Sequence, residues 1–218
     1  MYHYIMDFSK IVYNLEKDFI DKKVQHSEFV DFMENLQDAY LVLICCILSL
    51  RTNDKITIGA SKRMLELAKT PKEMAKINTE ELSKAIYPVG FYQNKAIQII
   101  ELSKELVEKY NSKVPKEIDE LIKFKGVGRK TANLVLAKGH DIPAICVDVH
   151  VHRICNRIGC LKTKTPDETE FKLRKILPKK YWLNFNTLLV THGQNICKPQ
   201  NPKCEECSIS KYCKKLIK

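Results

Sequence analysis

FKGVGRKTAN, residues 124–133, carries two of the seven glycines in this 218-residue chain. It lies between a helical pattern that ends near Phe124 and another that begins near Arg129. Glycine at 126 and 128 opens backbone conformations closed to other residues. It also leaves the N–H groups of the turn and of the next helix's first turn free to face an anion, with no side chain in the way. A tight connection between two helices, with glycine serving geometry alone, satisfies the same spacing. The Gly-x4-Gly-Lys-Ser/Thr spacing of a nucleotide-binding P-loop is absent.

Helical signals dominate outward from this turn. In 91–110, Ala96, Ile99, Ile100, Leu106, Val107 and Tyr110 recur at three- and four-residue steps and form one apolar stripe. The run AYLVLICCILSL (39–50) reads as a helix buried on all sides, too short to span a bilayer. Asn78 with Glu81 predicts a capping box for a helix over 79–86. Thr70–Pro71 and Thr165–Pro166 each place a cap residue before a proline at the first helical position. Segments 6–22, 53–68, 165–177 and 180–196 are further expected helices. Only PAICVDVHV (143–151) alternates like a strand, and it has no partner. The predicted class is all-α.

Composition narrows the partners. With 44% hydrophobic and 29% charged residues, the chain reads as an ordinary soluble globular protein of one domain or two small ones. Lys and Arg number 37 against 26 Asp and Glu, a net charge of +11 that favours a polyanion, nucleic acid before membrane surface. The N-terminus MYHYIMDFSK lacks the pattern of a secretory signal, so a reducing, cytoplasmic setting is expected. The nine cysteines fit that setting. Cys45, Cys46, Cys146, Cys155 and Cys160 read as small apolar core residues. The remaining four, Cys197, Cys204, Cys207 and Cys213, form C-x6-C-x2-C-x5-C at the end of the chain. One close pair where zinc sites usually show two leaves zinc and iron–sulfur both open on spacing.

Four elements together resemble the endonuclease III family. The first is the hairpin Phe124–Asn133, similar to the family's LPGVGRKTA. The second is Val147-Asp148-Val149-His150-Val151-His152-Arg153, followed by Cys155-Asn156-Arg157. The third is Leu48-Ser49-Leu50-Arg51-Thr52-Asn53-Asp54, similar to LS-x-x-T-x-D, and the fourth is the cysteine run, all in family order over roughly residues 40–213. The resemblance implies a bifunctional DNA glycosylase and abasic-site lyase with a [4Fe–4S] cluster on the four cysteines. It would act as a monomer on double-stranded DNA with damaged bases or abasic sites, removing oxidised pyrimidines in base excision repair. It also implies a six-helix domain over 30–142, a cluster domain made of 1–29 and 143–218, and DNA bound in the cleft between them.

Residue by residue, the resemblance makes Lys130 the nucleophile. An amine can attack the sugar C1′ of a flipped nucleotide and form a Schiff base, which water cannot. Asp148, set between two valines where an unpaired carboxylate would be costly, would assist that attack. A helix N-cap for 149–160 suits Asp148 as well, and a metal site of Asp148, His150 and His152 is disfavoured by their directions on a helix. His150 would border the pocket. Lys125, Gly126, Gly128, Arg129, Lys198 and Lys203 are candidate phosphate contacts, the last two in the proline-stiffened loop between the first two cysteines. Arg51 stands where the prototype has glutamine and reads guanine well. Phe91, in place of leucine, would be the intercalating wedge. Lys125 replaces the hairpin proline, and His152 an aromatic residue. The alternatives are a glycosylase for mismatched or alkylated bases and a non-catalytic helix–hairpin–helix DNA-binding protein.

Overall fold

In the computed structural model the described residues are 6–21 and 23–217; the opening MYHYI, Lys22 and Lys218, which the sequence reading touches, lie outside them. Among the described residues the regular structure is helical throughout. The chain divides into two compact units, one from Glu28 to Ala144, the other joining the described residues up to Ser27 to those from Ile145 onward.

The first unit is built around α3 (Ala39–Ser49), introduced by the side chain of Asp38, which accepts from Leu41 N. Val42, Leu43, Ile44, Cys45, Ile47 and Leu48 are fully buried, as a helix without a polar face requires. Helices α2 (Glu28–Glu34), α4 (Asp54–Leu67), α5 (Pro71–Met74), α6 (Thr79–Ile86) and α7 (Tyr92–Tyr110) complete its body. The short α8 (Ile118–Leu121) and α9 (Arg129–Leu134) flank the glycine turn. A π-helical turn, Val135–Gly139, continues α9 and packs on α3, where a Cβ on Gly139 would stand 2.4 Å from Ala39 Cα.

In the second unit, α1 (Phe8–Ile20) sets Phe8, Ile11, Val12 and Leu15 on one face. That face shares a core with Val151, Ile154 and Ile158 of α10 (Val149–Ile158), Leu173 of α11 (Pro166–Ile176), and Phe185 and Leu189 of α12 (Trp182–Asn195). Long-range hydrogen bonds close the join between the ends of the chain: Ser208 Oγ to Asp18, and Asn195 Nδ2 to Gln25 O.

One ambiguous segment is resolved and one local expectation changes. The alternating stretch 143–151 is not a strand. It is an extended connector to residue 148, after which α10 begins. Ala144, Ile145, Cys146 and Val147 are all buried in succession, and the Cys146 carbonyl is taken by Asn186 Nδ2 rather than by a neighbouring strand. The continuous apolar run 144–147 is therefore the signature of a buried connector, and the alternating residues after it open α10. The Asn78 cap forms, but its side chain accepts from Glu80 N; the complete reciprocal box is at Thr70 and Glu73. No described helix is long and apolar enough to cross a membrane.

The glycine environments predict substitutions of opposite sign. Gly139→Ala should lower stability by about 1–3 kcal/mol, because the methyl meets the α3 backbone. Gly59→Ala, within α4 and with only the Arg63 guanidinium 3.5 Å away, should raise it by about 0.4–1 kcal/mol. Urea unfolding of the two variants beside the parent checks both signs.

Candidate nucleic-acid and cluster sites

The glycine turn keeps its backbone donors open. Val127 N bonds Phe124 O, while among the described residues the N–H groups of Gly126 and Gly128 have no acceptor. Gly128 is the N-cap of α9 and offers no side chain to its first turn; a Cβ there would meet nothing within 4 Å. The Gly126 requirement is different in kind. Its φ of +76° favours glycine, and a Cβ would fall 2.5 Å from Gln98 Nε2, which donates to the Lys125 carbonyl. Gln98 thus braces the turn from α7, a contact with no local sequence signal. Lys125 and Lys130 are exposed and Arg129 half-exposed, so the turn presents cations beside open amides.

A second edge of the same unit holds Arg51 and Phe91. Both have left-handed backbone, φ +54° and +60°, and both are exposed, Phe91 to 62%. The Arg51 guanidinium carbon lies 6.0 Å from the Phe91 ring centre. Behind them Lys95, only 6% exposed, donates through Nζ to Leu48 O, Leu50 O and Thr52 Oγ1. Burial pushes the Lys95 ammonium down to about 8. Sequence reading passed over this lysine because it flanks the apolar stripe of α7; a cation beside Ala96 on that face was the available signal.

In the other unit Asp148 is the N-cap of α10, its Oδ1 accepting from His150 N and Val151 N, both at 2.9 Å. Oδ2 makes no hydrogen bond among the described residues. The carboxylate is half-buried and therefore both a cap and a remaining acceptor. His150 Nδ1 receives a hydrogen bond from Arg153 Nη2, leaving Nε2 as the ring's donor side. Gly193 makes room for that pair, since a Cβ there would come within 2.5 Å of His150 Nδ1. His152 turns elsewhere, to Thr169 Oγ1 at 2.7 Å, in a polar cluster with Asn156 and Thr163. The three side chains Asp148, His150 and His152 thus diverge, as helical spacing requires.

Cys197, Cys204, Cys207 and Cys213 all carry free thiols and line one cavity with Ile154, Ile158, Ile196 and Ile209. Burial, reinforced by the neighbouring thiols, pushes Cys207 up to about 11, and burial raises Cys213 as well. Those two thiols hold their protons until a cation takes their place. No three of the described Cys, His, Asp and Glu side chains converge on one point. Four thiols lining one cavity suit a polynuclear cluster that takes one thiolate per iron. Donors already aim at two of the sulfurs, Arg157 Nη1 at Cys197 (3.6 Å) and Lys215 N at Cys213 (3.3 Å), and His192 Nε2 pairs with Cys207 Sγ at 3.6 Å. Burial holds His192 near 4, so its ring is neutral at physiological pH. The donor set and its surroundings fit an iron–sulfur cluster.

Arg157 also fixes the loop between the first two cysteines, donating to Lys198 O at 2.6 Å and Pro199 O at 2.7 Å. Lys203 in that loop is paired with Glu206 at 3.2 Å. The sequence reading placed Arg157 in a motif without giving it work; its carbonyl partners lie some forty residues downstream.

Comparison with known proteins agrees with this geometry. Residues 44–179 match the family model of the HhH-GPD superfamily of base excision DNA repair proteins, and residues 197–213 match the iron–sulfur binding domain of endonuclease III. Endonuclease III of Thermotoga maritima is 51% identical over 176 residues, which span 81% of this chain and 83% of that protein. The solved structure of a non-covalent endonuclease III–DNA complex aligns with a TM-score of 0.80 at 33% identity, over 95% of both chains. That of a trapped endonuclease III–DNA covalent intermediate aligns with 0.78 at the same identity and coverage.

The cofactor is a [4Fe–4S] cluster, and its loop should depend on Arg157. Arg157→Leu removes the donor of two carbonyls that shape the exposed loop, a loss of about 0.5–1.5 kcal/mol each. Iron per chain should fall and the brown colour should bleach faster under a chelator, while Lys203→Ala should retain iron as the parent does.

Proposed function

This chain belongs to the endonuclease III family of base excision DNA repair enzymes, and from that membership we propose that Lys130 and Asp148 carry its glycosylase and lyase chemistry on oxidised pyrimidines. The observation that carries the reading is the placement of Lys130. It is exposed in the first turn of α9, directly after a turn whose amides are open to a phosphate. An amine held there reaches the sugar of a nucleotide whose flanking phosphate the turn has seized.

The Lys130 amine attacks C1′ of the flipped nucleotide as the glycosidic bond breaks, and the base departs with its electron pair and takes up a proton. Ring opening gives an iminium between Nζ and C1′. Loss of a C2′ proton then expels the 3′ phosphate, nicking the strand, and water releases the lysine. Asp148 keeps Oδ1 on the helix cap and offers Oδ2 to the cationic sugar that develops as the base leaves. When bound, the cluster supplies a covalent staple for the last stretch of the chain. Lys125, Arg129 and the amides of Gly126 and Gly128 serve as phosphate contacts, with Lys198 on the cluster loop. His150 borders the sugar. The net charge of +11 supports DNA as the partner.

Lys130→Gln should abolish borohydride trapping and strand nicking on lesion duplex while DNA binding persists. Asp148→Asn should preserve the fold, because Asn caps a helix too. It should nevertheless slow base release by about a hundredfold or more, roughly 2.7 kcal/mol. Single-turnover kinetics on a panel of oxidised, alkylated and mismatched bases reads both. A covalent complex still formed by Lys130→Gln would refute the assignment, and excision confined to mismatched or alkylated bases would move the substrate class.

A further inference from the structure

Arg51 and Phe91 pose a problem that packing does not solve. Each adopts the left-handed conformation that side chains other than glycine avoid, at a cost of order 1 kcal/mol. Neither recovers that cost by burial, since both side chains stand in solvent. Something behind them must hold the backbone, and the structure shows what it is.

Thr52, next to Arg51, uses its hydroxyl three ways. It donates to Leu50 O, and it accepts from Gly90 N at 3.1 Å and from Lys95 Nζ at 3.2 Å. Gly90 precedes Phe91, so this one oxygen ties the two left-handed residues together across the unit. The approach is close: a Cβ on Gly90 would stand 2.8 Å from Arg51 O. Lys95 completes the tie. Its three N–H groups meet three acceptors, two of them the Leu48 and Leu50 carbonyls that α3 leaves unsatisfied at its C-terminus, where a cation is favoured. Its own backbone N–H bonds Phe91 O at 3.0 Å. No carboxylate among the described residues pairs with this ammonium, so helix-end carbonyls and one threonine are its whole compensation.

We propose that Lys95 and Thr52 are positioning residues that lock Arg51 and Phe91 into a single two-pronged probe of the DNA duplex. The proposal rests on the reading above that this protein opens duplex DNA at a damaged base. Phe91 enters the stack as an apolar wedge. The Arg51 guanidinium, held within 6.0 Å of that ring, presents its forked donors to the base left without a partner. Because both prongs hang on one hydroxyl, loosening it blunts them together. Lesion recognition then falls without any change at Lys130.

The test uses the full-length, cluster-loaded protein and the variants Thr52→Val, Thr52→Ser and Lys95→Met. Three quantities are read: the affinity ratio of lesion duplex over undamaged duplex, the fluorescence of 2-aminopurine placed beside the lesion as a report of unstacking, and borohydride trapping on a single-stranded abasic oligonucleotide, which needs no opening of a duplex. Thr52→Val and Lys95→Met should lower the affinity ratio by about tenfold or more and suppress the fluorescence rise. Single-strand trapping should stay at the parent's level, and Thr52→Ser, which keeps the hydroxyl, should behave as the parent. The clamp is refuted if Thr52→Val and Lys95→Met keep the parent's ratio and fluorescence. It is equally refuted if single-strand trapping falls in proportion, which marks a general loss of structure, or if Thr52→Ser fails as Thr52→Val does. Failure of the parent itself to trap any abasic DNA would instead overturn the lysine mechanism; the fluorescence arm would still judge the clamp.

Discussion

Every helix leaves donors bare at its start and acceptors bare at its end, and this protein depends on how those groups are met. Most starts are closed by a short polar side chain: Asp7, Asp38, Asn53, Thr70, Asn78, Asp148 and Thr165 all cap the helix that follows. The start of α9 is among those left without a side-chain cap, because its N-cap is Gly128, which has no side chain to give. The glycine turn before it therefore hands its unpaired amides outward, where a phosphate can take them. A capped α9 would be an ordinary helix hairpin.

Helix and loop ends are closed by long cations instead. Lys95 closes α3, Arg157 closes the loop after Cys197, and Arg153 reaches Gly193 O and Cys197 O. Each is a charge within a largely apolar surrounding that spends its donors on backbone carbonyls rather than on a carboxylate. Such an arrangement stiffens irregular backbone that packing cannot reach, since a carbonyl left bare in the interior costs more than the bond contributes when made. The irregular segments so treated are the ones assigned work here: the Arg51 bend and the cluster loop.

Asp148 caps a helix and still keeps an acceptor to spare. One carboxylate oxygen satisfies two amides of α10 and the other remains an acceptor. The sequence left capping and chemistry open together at this residue, and the two oxygens of a carboxylate leave room for both. His152 resolves in the opposite direction, into a hydrogen-bonded cluster with Thr169, which accounts for a polar residue where the family pattern has an aromatic one.

The all-helical class, nearly every long helix and the four cluster thiols were legible in the order of residues, because helical periodicity, caps and ligand spacing act over a few positions along the chain. The glycine turn was legible for the same reason, whereas Lys130 stood out only through the resemblance to the endonuclease III family. The connector before Asp148 alternates in part like a strand, but with no partner segment in the sequence the class stayed all-α, and the structure gives it no strand. Gln98 under Gly126, Lys95 behind Arg51 and Arg157 over the cluster loop belong to tertiary structure alone. Each joins segments between 27 and 47 positions apart. Local composition determines which backbone groups a turn or a helix end leaves bare; only the folded chain decides which distant side chain arrives to meet them.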